Sequence, residues 1–151
     1  MLLLTTLLLL QAPTANPQTA GPLTWSATTM DAAATPANKE VLAKAKPAII
    51  TGEIIDFSCY SQLGKRGEAH KACGAKCVAH GAPVAMLTAQ GKLVMLQPEQ
   101  HHPRRDGQLD WAHAMSEKMG QTLTLTGMLS EQGGITTLFV EAEPMPAPAA
   151  K

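Results

Sequence analysis

The sequence predicts a mainly β (α+β) domain, a small OB-like barrel of five strands. Apolar runs and turn signals follow one another in the order strand, strand, strand, helix, strand, strand, which is the order of an OB-fold. The chain has 151 residues, of which 45% are hydrophobic, and this is enough for one core. The competing interpretation is an α+β sandwich with two helices on one antiparallel sheet.

The spacing of apolar and turn residues predicts each element. The first strand is β-branched and contains Gly52, which is typical of a bend or bulge. Ala89-Gln90-Gly91 and Gln132-Gly133-Gly134 each predict a hairpin, and Thr122–Leu129 alternates with a period of two. The predicted strands are Ile49–Phe57, Pro83–Thr88, Lys92–Gln97, Thr122–Leu129 and Ile135–Ala142, and the helix between the third and fourth strands is Asp110–Gly120.

Two sets of side chains are predicted to face the core. On the helix, residues four apart form one apolar stripe, and on the fourth strand alternate leucines share the inner face. The stripe is Trp111, Met115 and Met119, and the leucines are Leu123, Leu125 and Leu129.

The two ends of the chain are predicted to lie outside the barrel. Met1–Leu10 is an apolar run of the length of a secretory h-region and too short for a membrane span, so residues 1–20 are interpreted as a signal peptide. Residues 21–46, rich in Ala, Thr and Pro, are interpreted as a flexible tether, and 144–151 as a disordered tail. The barrel is expected over residues 47–143, in the periplasm or outside the cell, with no stable membrane span after processing.

Composition and motifs exclude several classes of function. Twelve basic residues balance twelve acidic ones and aromatic residues make up 3%, which disfavours nucleic-acid binding. The sequence contains no P-loop, no dinucleotide fingerprint, no G-x-S-x-G and no H-E-x-x-H. We therefore expect a binding or accessory domain and not an enzyme.

The inserted segment Ser58–Gly81 concentrates the chemically distinctive residues. It holds all three cysteines and two of the five histidines, and it is predicted to be helical from Glu68 onward. On an unbroken helix, four of these side chains fall within an arc of about 80°. Thiolates and imidazoles on one stripe are the ligand set of copper or zinc.

Helix length limits this prediction, because His70 and His80 would lie about 15 Å apart along the axis and cannot share one ion. His80 is preferred, since Gly81 lets the helix unwind there. The predicted ligands are Cys73 and Cys77, with His80 or His70, completed by Cys59 or Met86.

A disulfide is an equally serious interpretation, because an exported protein encounters an oxidising compartment. A bridge from Cys59 to Cys73 or Cys77 would close a loop of about 15 residues and contribute roughly 3 kcal/mol in the chain-entropy model. Three free thiols are the third alternative. Asp56, before Cys59, either orients a ligand histidine or faces solvent.

The residues of this insertion carry a resemblance. Gly52–Tyr60, then Gly67–Cys73 and Cys77, then Gly81–Val84, resemble a C-Y…H-x-x-C-x-x-x-C…G-x-P segment of small exported bacterial proteins with OB-fold-like domains. The resemblance spans about residues 50–140 and implies an extracytoplasmic domain without specifying an activity. The pair Cys73 and Cys77 also resembles the copper-binding C-x-x-x-C of oxidase subunits and copper chaperones, although there the histidine follows four residues after the second cysteine and here it follows three.

Two functions remain open at this point. The first is a binding domain whose Cys/His cluster either holds copper or zinc or is stapled by a disulfide. The second is a non-catalytic subunit that docks on a membrane-associated or redox assembly through the barrel face and the charged loop His101–Asp106.

Overall fold

The structure, a computed structural model, describes residues 24–99 and 106–141. This part of the chain forms five helices, one 3-10 turn and five strands. In chain order they are α1 (Ala27–Ala32), α2 (Pro36–Lys44), β1 (Lys46–Asp56), α3 (Phe57–Leu63), a 3-10 turn (Glu68–His70), α4 (Lys71–Ala79), β2 (Val84–Thr88), β3 (Leu93–Pro98), α5 (Asp106–Ser116), β4 (Thr122–Gln132) and β5 (Ile135–Val140).

The five strands form a closed barrel in the order β1-β2-β3-β5-β4. Strand β1 closes it, because its first part pairs with β4 and its second part with β2. The pairing of β3 with β5 is parallel and the other four pairings are antiparallel. This arrangement confirms the predicted OB-like barrel, and the α+β sandwich was wrong.

Gly52 marks the point where β1 passes from one partner to the other. It lies opposite Thr88 of β2 and also opposite Leu123 of β4. A Cβ at this position would lie 2.5 Å from Met86 Cγ and 2.7 Å from the Leu87 carbonyl oxygen. The absence of a side chain therefore lets β2 approach β1 closely at the point where β1 changes partner.

The main core fills the barrel and reaches under α4 and α5. Val78 of α4 and Met119, which follows α5, are fully buried in it beside residues of every strand. The predicted stripes on the helix and on β4 are confirmed, since their other members pack against this core. Burial of Val78 fixes the inserted helix α4 against the sheet, and this contact positions the candidate site.

Part of the predicted tether folds, so that prediction was wrong for residues 27–44. Ser26 and Thr35 accept backbone N–H groups as N-caps of α1 and α2, and Pro36 begins α2. The Trp25 indole donates to the Leu42 carbonyl and packs edge-on against Phe139, with the ring centres 5.3 Å apart. The large apolar residues of this segment, Met30, Val41 and Leu42, are too few to give a periodic signal, so the sequence did not reveal these helices.

Two element boundaries also differ from the prediction, one at the end of β1 and one after β3. The first strand ends at Asp56 instead of Phe57, and α3, which was not predicted, follows directly. The helix before β4 runs over Asp106–Ser116 instead of Asp110–Gly120. A turn ends at Gly120, whose φ of +72° suits glycine.

The predicted signal peptide at 1–20 and tail at 144–151 lie outside the described residues, as do residues 101–105 of the candidate docking loop. In the part of the chain that the structure describes, every helix is too short or too polar to span a bilayer.

Candidate metal centre

Asp56 stands at the junction of β1 and α3, and it serves as the N-cap of α3. Its Oδ1 accepts the backbone N–H of Ser58 at 2.9 Å and that of Cys59 at 3.3 Å. The residue is only 1% exposed, and its Oδ2 has no hydrogen-bond partner. A buried carboxylate is costly unless something compensates its charge, so this oxygen is open to a donor or a cation.

The 3-10 turn and α4 supply the opposite side of the site. His70 at the end of the 3-10 turn and Gly74 and Val78 of α4 are spaced by four residues, so they share one helix face, and this face is buried. Cys77 is half-buried at the edge of this face, and Cys73, one turn earlier, is exposed. The inward residues press α4 against β1, which brings Cys77 towards the start of α3.

Three side chains converge where α3 and α4 meet the end of β1. One ligand atom from each of Asp56, Cys59 and Cys77 lies within 4.8 Å of the other two. Asp56 and Cys59 are neighbours because both belong to the first turn of α3, whereas Cys77 arrives from a separate helix. Carboxylate oxygen and thiolate sulfur are both metal ligands, so this group could hold an ion.

The carboxylate of Asp56 and burial together raise the pKa of the two neighbouring thiols. The carboxylate raises the pKa of Cys59 to about 11, chiefly because the protonated thiol can donate to Asp56, with burial and charge repulsion adding to the effect. The pKa of Cys77 is raised as well, first by burial and then by the negative charge of Asp56. Without a cation, both sulfurs are therefore held as thiols, and a bound metal would have to displace their protons.

His70 lies against the other side of the same carboxylate. Its Nε2 is 4.0 Å from Asp56 Oδ2, and neither atom has a hydrogen-bond partner. The histidine is 8% exposed. A small cavity beside this pair is lined by both residues and also by Glu53, Arg66 and Lys71.

The structure brings together two of the sequence-predicted ligands, Cys59 and Cys77. Exposed Cys73 lies outside their group. His80 is exposed, and its Nδ1 lies 2.7 Å from the Lys76 carbonyl of its own helix. Met86 is fully buried in the barrel core.

The difference has a local cause. The buried face of this segment consists of His70, Gly74 and Val78, spaced by four residues as on a regular helix. At about 100° per residue, Cys77 lies about 60° from the centre of this face at Gly74, whereas Cys73 and His80 lie about 100° and 120° from it and are exposed. A signal for Asp56 did exist, because an Asp three residues before Cys59 at the end of a strand is a typical helix N-cap.

The arrangement offers two kinds of chemistry, metal coordination by one carboxylate and two thiolates, or a bridge between the two sulfurs. Comparison of the chain with protein-family models, with curated proteins and with solved structures finds no match.

Proposed function

We propose that this protein is a small extracytoplasmic metal-binding domain in which Asp56, Cys59 and Cys77 hold a zinc ion. The observation that carries the proposal is the convergence of their ligand atoms within 4.8 Å. Ligand bonds to zinc are about 2.0–2.3 Å long, so the donors around one tetrahedral ion lie roughly 3.3–3.8 Å apart. Side-chain shifts of about 1 Å would close the group around an ion.

Charge supports the same proposal. Asp56 brings a carboxylate into a position that is almost completely buried and leaves one oxygen without a partner. A divalent cation would compensate this charge and also the two thiolates that form when it binds. Zinc uptake would thus release protons from Cys59 and Cys77 and would weaken as the pH falls.

The mixed donor set favours zinc over copper. Copper(I) prefers soft sulfur ligands, and a carboxylate oxygen is a poor partner for it. Zinc accepts cysteine sulfur and aspartate oxygen in the same site. Copper binding would be favoured if Cys73 joined the two grouped cysteines, but Cys73 is exposed and lies outside the group.

Export is the second part of the proposal. It is supported by the apolar run Met1–Leu10 and by the resemblance of the insertion to small exported bacterial domains. The domain would act there as a non-catalytic accessory module, with a protein of an extracytoplasmic or membrane-associated assembly as its partner. N-terminal sequencing of the mature protein from a periplasmic fraction tests this, with cleavage expected between residues 12 and 20.

A disulfide between Cys59 and Cys77 is the second candidate, and their membership of one group is the observation that favours it. This bridge would staple α3 to α4 and leave Cys73 as an exposed free thiol. Metal binding and bridging are mutually exclusive, because both use the same two sulfurs.

The deciding experiment measures zinc and thiols in full-length protein purified without an affinity tag. We expect one zinc per chain in the wild type and in Cys73→Ser, the matched control. Cys59→Ser, Cys77→Ser and Asp56→Asn should each lose most of the zinc. Asp56→Asn is informative because its amide oxygen can still cap α3.

Two outcomes would contradict the zinc proposal. If the wild type carries no zinc after reduction and reconstitution, the site is not a metal centre. If mass spectrometry of protein from the oxidising compartment finds a peptide cross-link between Cys59 and Cys77 with one free thiol at Cys73, the disulfide is the native state.

A further inference from the structure

We propose that His70 is a positioning residue for the proposed metal site and that it acts through Asp56. This inference rests on the zinc function proposed above. His70 would donate a hydrogen bond from Nε2 to Oδ2 of Asp56, which would hold the carboxylate in the orientation that presents it to the ion.

Both partners of the proposed bond are buried. Asp56 and His70 are both more than nine-tenths buried, at 1% and 8% exposure. Asp56 Oδ2 and His70 Nε2 are the buried side-chain atoms without a hydrogen-bond partner among the described residues. Two unpaired polar atoms that face each other across a protein interior are costly, and they gain most by pairing with each other.

The two atoms are close enough to pair after a small movement. Nε2 and Oδ2 are 4.0 Å apart, about 1 Å longer than an N–H···O bond. A shift of that size in either side chain would close the bond, and the small cavity lined by both residues leaves room for it. Gly74 lies beside them, and a Cβ there would lie 3.5 Å from both Asp56 Cβ and His70 Cδ2. A larger residue would occupy the space between the helix and the pair.

His70 lies beside the carboxylate but outside the group of candidate ligands. The group of ligand atoms within 4.8 Å of one another joins Asp56 to Cys59 and Cys77 and does not include His70. His70 therefore lies next to the carboxylate but does not belong to the group that contains the two sulfurs. Groups that orient a metal ligand in this way typically change metal affinity by about 10- to 100-fold when they are removed.

Oδ1 of Asp56 is already committed to the backbone N–H groups of Ser58 and Cys59. These bonds fix one edge of the carboxylate, and a bond from His70 to Oδ2 would fix the rotation of the other edge. Oδ1 accepts two N–H groups and Oδ2 would accept one from His70, so the lone pair left for the ion lies on Oδ2. His70 would thus hold the carboxylate in its zinc-binding orientation before the ion arrives, so that less conformational entropy is lost when zinc binds.

The test is a double-mutant cycle on full-length protein, with zinc affinity measured by competition against a chromophoric chelator. We expect His70→Leu to weaken zinc binding about 10- to 100-fold and His70→Gln, whose amide can donate to Oδ2, to recover most of that loss. In the Asp56→Asn background, His70→Leu should have little further effect, because the group through which it acts is gone. At saturating cobalt(II), His70→Leu should keep the thiolate-to-cobalt charge-transfer band, since both sulfurs remain.

Each alternative has its own result. An equal loss from His70→Leu in the wild-type and Asp56→Asn backgrounds would make His70 an independent ligand and overturn the proposal, as would unchanged affinity in His70→Leu. If His70→Leu does not fold, His70→Asn, which is polar but too short to reach Oδ2, replaces it in the same cycle. If the wild type itself binds no zinc, the metal function fails and this inference fails with it, whereas loss of the His70 effect alone leaves the metal site standing.

Discussion

Replacement of Asp56 by Asn and by Ala separates the two roles of this side chain. Both variants remove the carboxylate charge, but only Asn keeps an oxygen that can accept the N–H groups of Ser58 and Cys59. Without metal, Asp56→Asn should be at least as stable as the wild type, because it no longer buries a charge. Asp56→Ala should be less stable than Asp56→Asn by about 1 kcal/mol, the usual contribution of an N-cap.

With zinc bound, the wild type should become more stable than Asp56→Asn. At a zinc concentration 100-fold above the Kd of the wild type, binding stabilises the folded state by about 2.7 kcal/mol. At about 4 °C per kcal/mol for a domain of this size, the wild-type Tm rises by about 11 °C. If Asp56→Asn binds 100-fold more weakly, the same zinc contributes only about 0.4 kcal/mol, or about 2 °C.

The assay is thermal unfolding of the reduced protein with and without zinc, followed by circular dichroism. Cys73→Ser is the control, and it should keep the full zinc-dependent rise in Tm because its sulfur lies outside the group. A rise in Asp56→Asn equal to that of the wild type would refute the assignment of the carboxylate as a ligand. Equal stability of Asp56→Asn and Asp56→Ala without metal would refute its role as the cap of α3.

Three further predictions concern thiol ionisation, barrel closure and the N-terminal helices. The metal-free protein should lose stability as the pH rises from 9.0 to about 11, because the pKa of Cys59 is raised only in the folded state and the unfolded chain ionises first; in urea titrations at several pH values, Asp56→Asn should make this loss smaller, because the pKa of Cys59 in the folded state falls towards 9.0 when the carboxylate is removed. An unchanged loss would contradict the role given to Asp56. Gly52→Ala should destabilise the barrel by about 1–3 kcal/mol in urea denaturation, since its Cβ would overlap the side chain of Met86, and a change below about 0.5 kcal/mol would show that β1 can move away from β2. Trp25→Ala should make residues 27–44 sensitive to limited proteolysis while the barrel stays folded, because the indole anchors these helices; equal cleavage rates in wild type and variant would count against this anchoring role.

The barrel was predictable because local signals and tertiary contacts agree in it. Alternation along β4 and the two hairpin turns identify strands that the structure pairs as expected. Gly52 lies where β2 approaches β1 closely, and a glycine inside a β-branched run is typical of such close approach by another backbone. The N-terminal helices show the opposite case: caps at Ser26 and Thr35 are present, but without a periodic apolar face the sequence did not reveal the packing of Trp25 that holds them.

The candidate site was only partly predictable. The concentration of cysteines and histidines in one insertion indicated where the chemistry lies, and Cys59 and Cys77 do share a site. The prediction gave Asp56 at most a supporting role, and the structure makes it a member of the group. Its burial depends on the docking of α4 over the end of β1, and no spacing within Ser58–Gly81 encodes that contact.

By itself, the sequence determined which segments of the barrel are strands, which faces of them are apolar and which segment carries sulfur and imidazole. These properties follow from the periodicity of neighbouring residues, and a helix or strand repeats them over a few positions. Only the tertiary structure decided that Asp56 and Cys59 meet Cys77 while Cys73 faces solvent. The reason is physical: the rotation of α4 is set by burying His70, Gly74 and Val78 against the barrel, and this packing joins distant parts of the chain.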